Sequence, residues 1–97
     1  MTDEIQAFCG VRDRKTMRRL FAELFTPAEC RDIALRWRLM GLLAGGVSQR
    51  AIAHNLGVSL CKITRGAKVL RNPGSITGRL LNAGKLKRNL KRRMRHG

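Results

Sequence analysis

The sequence has no tyrosine and only two prolines, and aromatic residues make up 4% of its 97 positions. No segment alternates Val, Ile or Thr with polar residues in the manner of a β-strand, so the composition favours helices. The scarcity of aromatic rings also argues against recognition of single-stranded nucleic acid, whose bases stack on such rings. These absences predict an all-α protein.

Acidic residues are few and confined to one end of the chain. None of the six lies beyond position 32. No Ser-His-Asp, Cys-His or paired-carboxylate arrangement is credible with so few acids, and no Gly-rich phosphate-binding loop is present. We therefore expect a protein that is not an enzyme.

The cysteine pattern and the hydropathy of the chain indicate whether the protein binds a metal and where in the cell it lies. Cys9, Cys30 and Cys61 are isolated and odd in number, so neither a disulfide framework nor a zinc site follows, and His54 is more typical of a polar surface residue than of a ligand. No signal peptide is evident, and no apolar run approaches the roughly 20 residues of a membrane span. The sequence predicts a cytoplasmic protein with reduced thiols and no metal.

Positive charge dominates the rest of the chain. Twenty-one Lys and Arg residues give a net charge of +15. The first 32 residues are balanced, so the whole excess lies in residues 33–97. A merely soluble basic surface would mix signs along the chain, whereas a field of one sign favours a polyanionic partner, usually nucleic acid.

The length predicts a single domain over residues 1–97 with a modest core, which oligomerisation would enlarge.

Residues 4–24 carry apolar side chains at helical spacing, with Arg12, Arg14, Lys15, Arg18 and Arg19 mostly off that face. Gly10 weakens the middle, so this is either one long helix or a frayed start followed by a better helix.

The segment Thr26-Pro27-Ala28-Glu29 has the pattern of a capping box with Pro at the first helical position. It predicts a helix from Pro27 to about Ala44 that ends at Gly45-Gly46. We expect this helix to bury the following side chains: Ile33, Leu35 or Trp37 (in the core or in a dimer interface), Met40, Leu43 and Ala44.

Residues 48–71 have the pattern of a helix-turn-helix. Ser48 caps a predicted helix over 49–56, Gly57 and Val58 form the turn, and Ser59 caps a second helix from Leu60 to about Arg71. The alternative for this segment is an ordinary helical hairpin with a solvated basic face.

A helix-turn-helix would place the start of its second helix in the major groove of duplex DNA, and the first helix against phosphates. The predicted DNA contacts are Gln49, Arg50, Ser59, Leu60, Cys61, Lys62, Thr64 and Lys68. A basic C-terminal segment, residues 85–97, would add contacts to the DNA backbone.

Two stretches together resemble the tryptophan repressor family. They are T-P-A-E-C-R-D-I-A-L-R-W-R at 26–38 and S-Q-R-x-I-x-x-x-L-G-V-S-x-x-K-I-T-R-G at 48–66, and the likeness covers about 24–71. It implies a helical bundle with a helix-turn-helix in an interlaced homodimer. L-tryptophan would act as co-repressor for a palindromic operator of tryptophan biosynthesis or salvage genes.

The resemblance also assigns a ligand site. Arg36 and Arg65 would stack on the two faces of the indole, and Arg65 would pair with the ligand carboxylate. Thr26 and the carbonyls just before it would border the pocket, Gly66 would leave room for the indole, and Leu39 would form an apolar wall.

The chain departs from the family pattern at several positions. Val69 stands where Ser commonly helps to hold the ligand's amino group, Lys62 stands where Thr is common, and the turn at 45–47 is one residue shorter. Two other functions therefore stay open: a ligand-independent helix-turn-helix protein that binds DNA, and a small basic protein that binds RNA.

Overall fold

A computed structural model describes residues 3–82. No strand occurs in that range, which confirms the predicted all-α class, and the basic segment 85–97 lies outside it. Within the described range no helix combines the length and the apolar character that crossing a membrane requires. The helices are α1 (Asp3–Gly10), α2 (Arg14–Leu24), α3 (Pro27–Ala44), α4 (Gln49–Leu56) and α5 (Leu60–Arg71), and residues 76–82 belong to α6.

The chain divides into two compact units, Met1–Leu35 and Arg36–Gly97, and α3 passes through the boundary between them. The first unit contains α1, α2 and the N-terminal half of α3. The second contains the rest of α3 with α4, α5 and α6.

The N-terminal apolar pattern forms two helices rather than one, which settles the alternative that Gly10 left open. The break follows from Asp13, whose carboxylate accepts hydrogen bonds from the backbone N–H (2.9 Å) and the hydroxyl (2.8 Å) of Thr16. These bonds, the backbone one foremost, lower the pKa of Asp13. An N-capping Asp satisfies an amide that has no partner within its own helix, so α2 begins afresh at Arg14.

Aromatic contacts hold the first unit together. The ring centroid of Phe21 lies 6.0 Å from that of Phe8, edge to face, and 5.1 Å from that of Phe25. Such pairs are favourable beyond the apolar area that they bury. Even so, no side chain among residues 3–35 is fully buried, and Ile5 and Leu24 are 49% and 58% exposed.

The ends of α3 follow the predicted local chemistry. The Thr26 N–H donates to Glu29 Oε1 (2.9 Å) and the Glu29 N–H donates to Thr26 Oγ1 (3.1 Å), which is a complete capping box. At the other end Gly46 has φ +87°, and the N–H groups of Gly46 and Val47 donate to the carbonyls of Leu43 and Leu42. This is a Schellman motif, whose left-handed residue favours glycine.

The core of the second unit consists of Leu39 from α3, Ile52 from α4 and Ile63 from α5, all at most 3% exposed. The half-buried side chains around them include Met40 and Leu43 of α3.

The expected burial along α3 is wrong for Ile33, which is 39% exposed, and for Ala44, which is also exposed. Of the alternatives Leu35 and Trp37, Leu35 is half-buried and Trp37 is 48% exposed. Only the segment of α3 around Leu39 packs against the core residues of α4 and α5, so side chains nearer either end of α3 lack that cover.

Gly66 lies where α5 approaches α3. A Cβ built on Gly66 would lie 2.8 Å from Met40 Sδ, 2.9 Å from Leu39 Cδ2 and 3.2 Å from Leu43 Cδ1. These distances are shorter than ordinary carbon contacts of about 3.5–4.0 Å, so a side chain at residue 66 would require the contacting side chains of α3, or the helices themselves, to shift. Glycine at this position permits the close crossing.

We expect Gly66→Ala to lower the free energy of unfolding. Overpacking costs about 1–3 kcal/mol, of which the better helix propensity of Ala returns about 1 kcal/mol. Gly41→Ala is the matched control, because it also lies within a helix and its Cβ would meet only Leu81 Cδ2 at 3.9 Å. Urea denaturation at one protein concentration should give a lower midpoint for Gly66→Ala and an unchanged or higher one for Gly41→Ala. A midpoint for Gly66→Ala at or above that of the wild type would contradict the packing argument.

Candidate nucleic-acid interface and adjoining ligand site

The α4–α5 pair is organised by two serine caps and one glycine turn. Ser48 Oγ accepts from the Ala51 N–H (3.2 Å) and Ser59 Oγ accepts from the Lys62 N–H (3.4 Å). Between the helices Gly57 has φ +63°, and its N–H donates to the Ala53 carbonyl. These local bonds confirm the helix bounds that the sequence predicts for this motif and fix a short turn between α4 and α5.

The two sides of α5 differ sharply. Ile63 and Gly66 are buried against the rest of the unit. The predicted contact residues of this helix are all exposed, and Leu60 has 60% of its surface accessible. The exposed set is Ser59, Leu60, Cys61, Lys62, Thr64 and Lys68. A helix anchored on one side with basic and polar groups on the other can enter a DNA groove without disturbing the core.

Gln49 and Arg50 are the first two residues of α4, and both are exposed. The N-terminal amides of a helix carry a partial positive charge, and an adjacent guanidinium adds a full one. No acidic residue lies beyond position 32 to oppose this field. This end of α4 therefore suits a phosphate contact.

Among the residues assigned to the ligand, the structure brings Leu39 and Gly66 together at the α3–α5 crossing. Arg36 is exposed and lies three residues before Leu39 on α3, and Arg65 is exposed and directly precedes Gly66 on α5. The space in front of Gly66 is filled by side chains of α3. The ligand roles of these four residues stay predictions.

Thr26 belongs to the first unit, where the structure gives it a structural task. Its backbone N–H, and secondly its side chain, hydrogen-bond with Glu29 and lower the pKa of that carboxyl group. A carboxylate in the first turn also interacts favourably with the helix dipole. Any contact of Thr26 with a ligand would be in addition to this cap.

A groove of about 760 Å³ lies at the C-terminal end of α5 and is not among the features predicted from the sequence. Arg65 and Val69 line it together with Asn72, Ser75 and Ile76. Ser75 caps α6 by accepting from the Gly78 N–H (3.0 Å). A serine between the Asn-Pro-Gly break and an apolar run is a recognisable helix start, and this signal could have located the wall of the groove.

Metal binding finds no support in the residues that the structure describes. No three side chains of His, Cys, Asp or Glu there lie close enough together to hold an ion.

The family model described as Trp repressor protein matches residues 3–84, which is most of the chain. The chain belongs to the Trp repressor family. That family comprises transcriptional repressors rather than a class of enzymes, and its helical helix-turn-helix fold agrees with the helices described above.

Curated relatives carry the name "Trp operon repressor homolog". The Chlamydia trachomatis serovar D protein is 36% identical over 62 residues, covering 63% of this chain and 66% of that protein. The Xylella fastidiosa M23 protein is 36% identical over 69 residues, covering 70% of this chain and 75% of that protein. The chain thus spans just under two thirds of the Chlamydia relative. No solved structure matches the chain.

The capping box predicts a pH-dependent stability. Because hydrogen bonds from Thr26 lower the pKa of Glu29 in the folded state, the stabilisation is present at neutral pH. It is lost as the pH falls below the ordinary pKa of a glutamate and through the lowered pKa of Glu29. Thermal denaturation should therefore give a lower Tm for Glu29→Gln than for the wild type at neutral pH, and the difference should shrink at about pH 3. Glu23→Gln, an exposed change on α2, is the control and should alter Tm little at either pH. A Glu29→Gln difference that persists unchanged in acid would contradict the assignment.

Proposed function

We propose that this protein is a DNA-binding transcriptional repressor gated by L-tryptophan as co-repressor. It binds, as a homodimer, a palindromic operator of tryptophan biosynthesis or salvage genes. The observation that carries the proposal is the α4–α5 pair of a Trp repressor family member, in which every predicted DNA contact is exposed while Ile63 and Gly66 anchor α5 from behind.

DNA binding is supported by charge and by shape. Lys62 and Lys68 extend from the exposed side of α5, and Arg50 lies at the start of α4. Phosphate contacts at α4 would orient the motif, and the first turn of α5 would read base edges in the major groove. A symmetric dimer would place its two α5 helices about 34 Å apart, one turn of duplex DNA.

Gating by a ligand is supported by where Arg65 lies. It directly follows Thr64, a predicted DNA contact, and directly precedes Gly66, the residue at the α3 crossing. A carboxylate paired with the Arg65 guanidinium would favour one orientation of α5 over others. A ligand shifts such an equilibrium only by its different affinities for the two states, so the state that binds tryptophan better must also bind DNA better.

The homodimer is supported by exposed apolar side chains. Ile5, Leu24, Ile33 and Trp37 are each at least 39% exposed, and the described part of the first unit has no fully buried residue. A second copy of the chain would remove this surface from water, at about 25 cal/mol for each Å² of apolar area. Interlaced chains give a small protein the larger core that one copy lacks.

The decisive experiment is fluorescence anisotropy of a labelled palindromic operator duplex, titrated with the protein with and without L-tryptophan. We expect tighter binding with the ligand, and little ligand effect in Arg65→Ala. Arg65→Lys keeps the charge but loses the planar guanidinium, so gating should be weakened in this variant as well. Arg31→Ala, an exposed arginine of the first unit, is the control that should retain gating.

Two results would contradict the proposal in different ways. Equal operator affinity with and without L-tryptophan would show that this ligand does not regulate binding, and the protein would then be a DNA-binding protein without this co-repressor. Binding to structured RNA at least as tight as to the operator duplex would contradict the proposed function as a DNA-binding repressor.

A ligand-independent DNA-binding protein is the second candidate, and Val69 favours it. This side chain is 41% exposed and lines the groove beside Arg65, so it presents a methyl surface where the family commonly has a hydroxyl. A valine cannot accept a hydrogen bond from an ammonium group.

Calorimetric titration with L-tryptophan separates the two candidates through Val69→Ser. If the groove adjoins the ligand, the serine variant should bind tryptophan more tightly, by roughly the 0.5–1.5 kcal/mol of one net hydrogen bond. Ala7→Ser, which adds a hydroxyl group at an exposed position of α1 outside the groove lining, serves as a control for non-specific effects. Flat traces for both the wild type and Val69→Ser would favour the ligand-independent reading.

A further inference from the structure

The second helix carries a continuous basic face outside the helix-turn-helix. Arg14, Lys15, Arg18 and Arg19 are all exposed. At about 100° per residue these four positions fall within an arc of about 140° around the axis of α2. The helix therefore presents a single stripe of positive charge rather than scattered bases.

The opposite side of α2 fixes where this stripe points. Met17, Leu20 and Phe21 are half-buried, and the Phe21 ring contacts Phe8 and Phe25 at centroid distances of 6.0 and 5.1 Å. Rotation of α2 about its axis would break these aromatic contacts. The first unit thus holds the basic face toward solvent.

No acidic residue of α2 falls within the arc of the stripe, and Glu23 lies at its edge, four residues after Arg19. The Asp13 carboxylate is engaged as the N-cap of α2, with both of its hydrogen bonds coming from Thr16. Within α2 itself Glu23 is the only acid. Arg14 with Arg18, and Lys15 with Arg19, form like-charge pairs four residues apart, which destabilise an isolated helix. A polyanion bound to this face would relieve that repulsion.

We propose that the basic face of α2 binds the phosphate backbone of duplex DNA, as a second contact surface in addition to α4 and α5. Cations four residues apart on a helix are about 6 Å apart along its axis, and each DNA strand carries one phosphate charge per about 3.4 Å of duplex axis. Each pair thus spans nearly two phosphate steps of one strand, so both cations of a pair can reach phosphates of the same strand.

The inference rests on the proposed function, because that function supplies the duplex. Where the duplex held by α4 and α5 reaches α2 as well, it is at a high effective concentration for that face, so weak phosphate contacts on α2 would be populated. Such contacts carry no base readout and add affinity equally for all sequences.

The test measures how the affinity for a duplex falls with salt concentration. Each neutralised phosphate contributes about 0.9 to the slope of log Kobs against log salt, and Arg14→Gln/Arg18→Gln removes four cations from the proposed homodimer, so the slope should fall by about 3.6. Its loss of affinity relative to wild type should then be about 150-fold smaller at 200 mM than at 50 mM salt. The ratio of operator to non-operator affinity should stay unchanged. Lys15→Gln/Arg19→Gln removes the other pair and should behave alike.

The matched control is Arg31→Gln/Arg38→Gln, which removes the same charge from two exposed positions on α3. Circular dichroism verifies that each variant keeps its helices. If both α2 variants have the same slope as the control while the wild type binds the operator, the inference is wrong and the proposed function stands. If the wild type binds no duplex at any salt concentration, the proposed function fails and the inference fails with it.

Discussion

Helix α5 approaches α3 closely at residue 66, where glycine avoids a steric conflict with side chains of α3. Any Cβ there would approach Leu39 and Met40 to within 3 Å. Leu39 is itself part of the core with Ile52 and Ile63, so it cannot yield without disturbing α4 and α5 together. The position of the exposed contact residues of α5 therefore depends on this close approach together with the packing of Ile63 against Ile52 of α4. Since packed cores have few low-energy arrangements, a small change at the crossing would redirect the whole helix.

The proposed gate makes use of the same constraint. Arg36 lies on α3 and Arg65 on α5, the two helices that meet at Leu39 and Gly66. A ligand that bound both guanidinium groups would restrict the relative motion of α3 and α5, whose packing is already set by the core. Under this proposal α3 and α5 couple the DNA-binding surface directly to the ligand site. No long chain of intervening residues between the two sites is needed.

Two of the six acidic residues have local, structural tasks in the first unit. Asp13 and Glu29 each hold the start of a helix, and hydrogen bonds from Thr16 and Thr26 lower the pKa of their carboxyl groups. Their charge is thereby placed at helix N-termini, where it complements the helix dipole. The basic residues of α2, α4 and α5 are left facing solvent, which is the arrangement that a polyanionic partner requires.

The sequence by itself determined the helix ends. Thr26 with Glu29, Ser48, Ser59 and Gly57 act through hydrogen bonds and backbone angles within three or four residues, so their effect can be read from the chain. Asp13 and Ser75 act in the same way and were overlooked. Only the tertiary structure decided which apolar residues are buried: Leu39 lies in the core, whereas Ile33 and Trp37 remain exposed. Helical periodicity gives the direction of a side chain around its own axis, but burial depends on where along that axis another helix crosses.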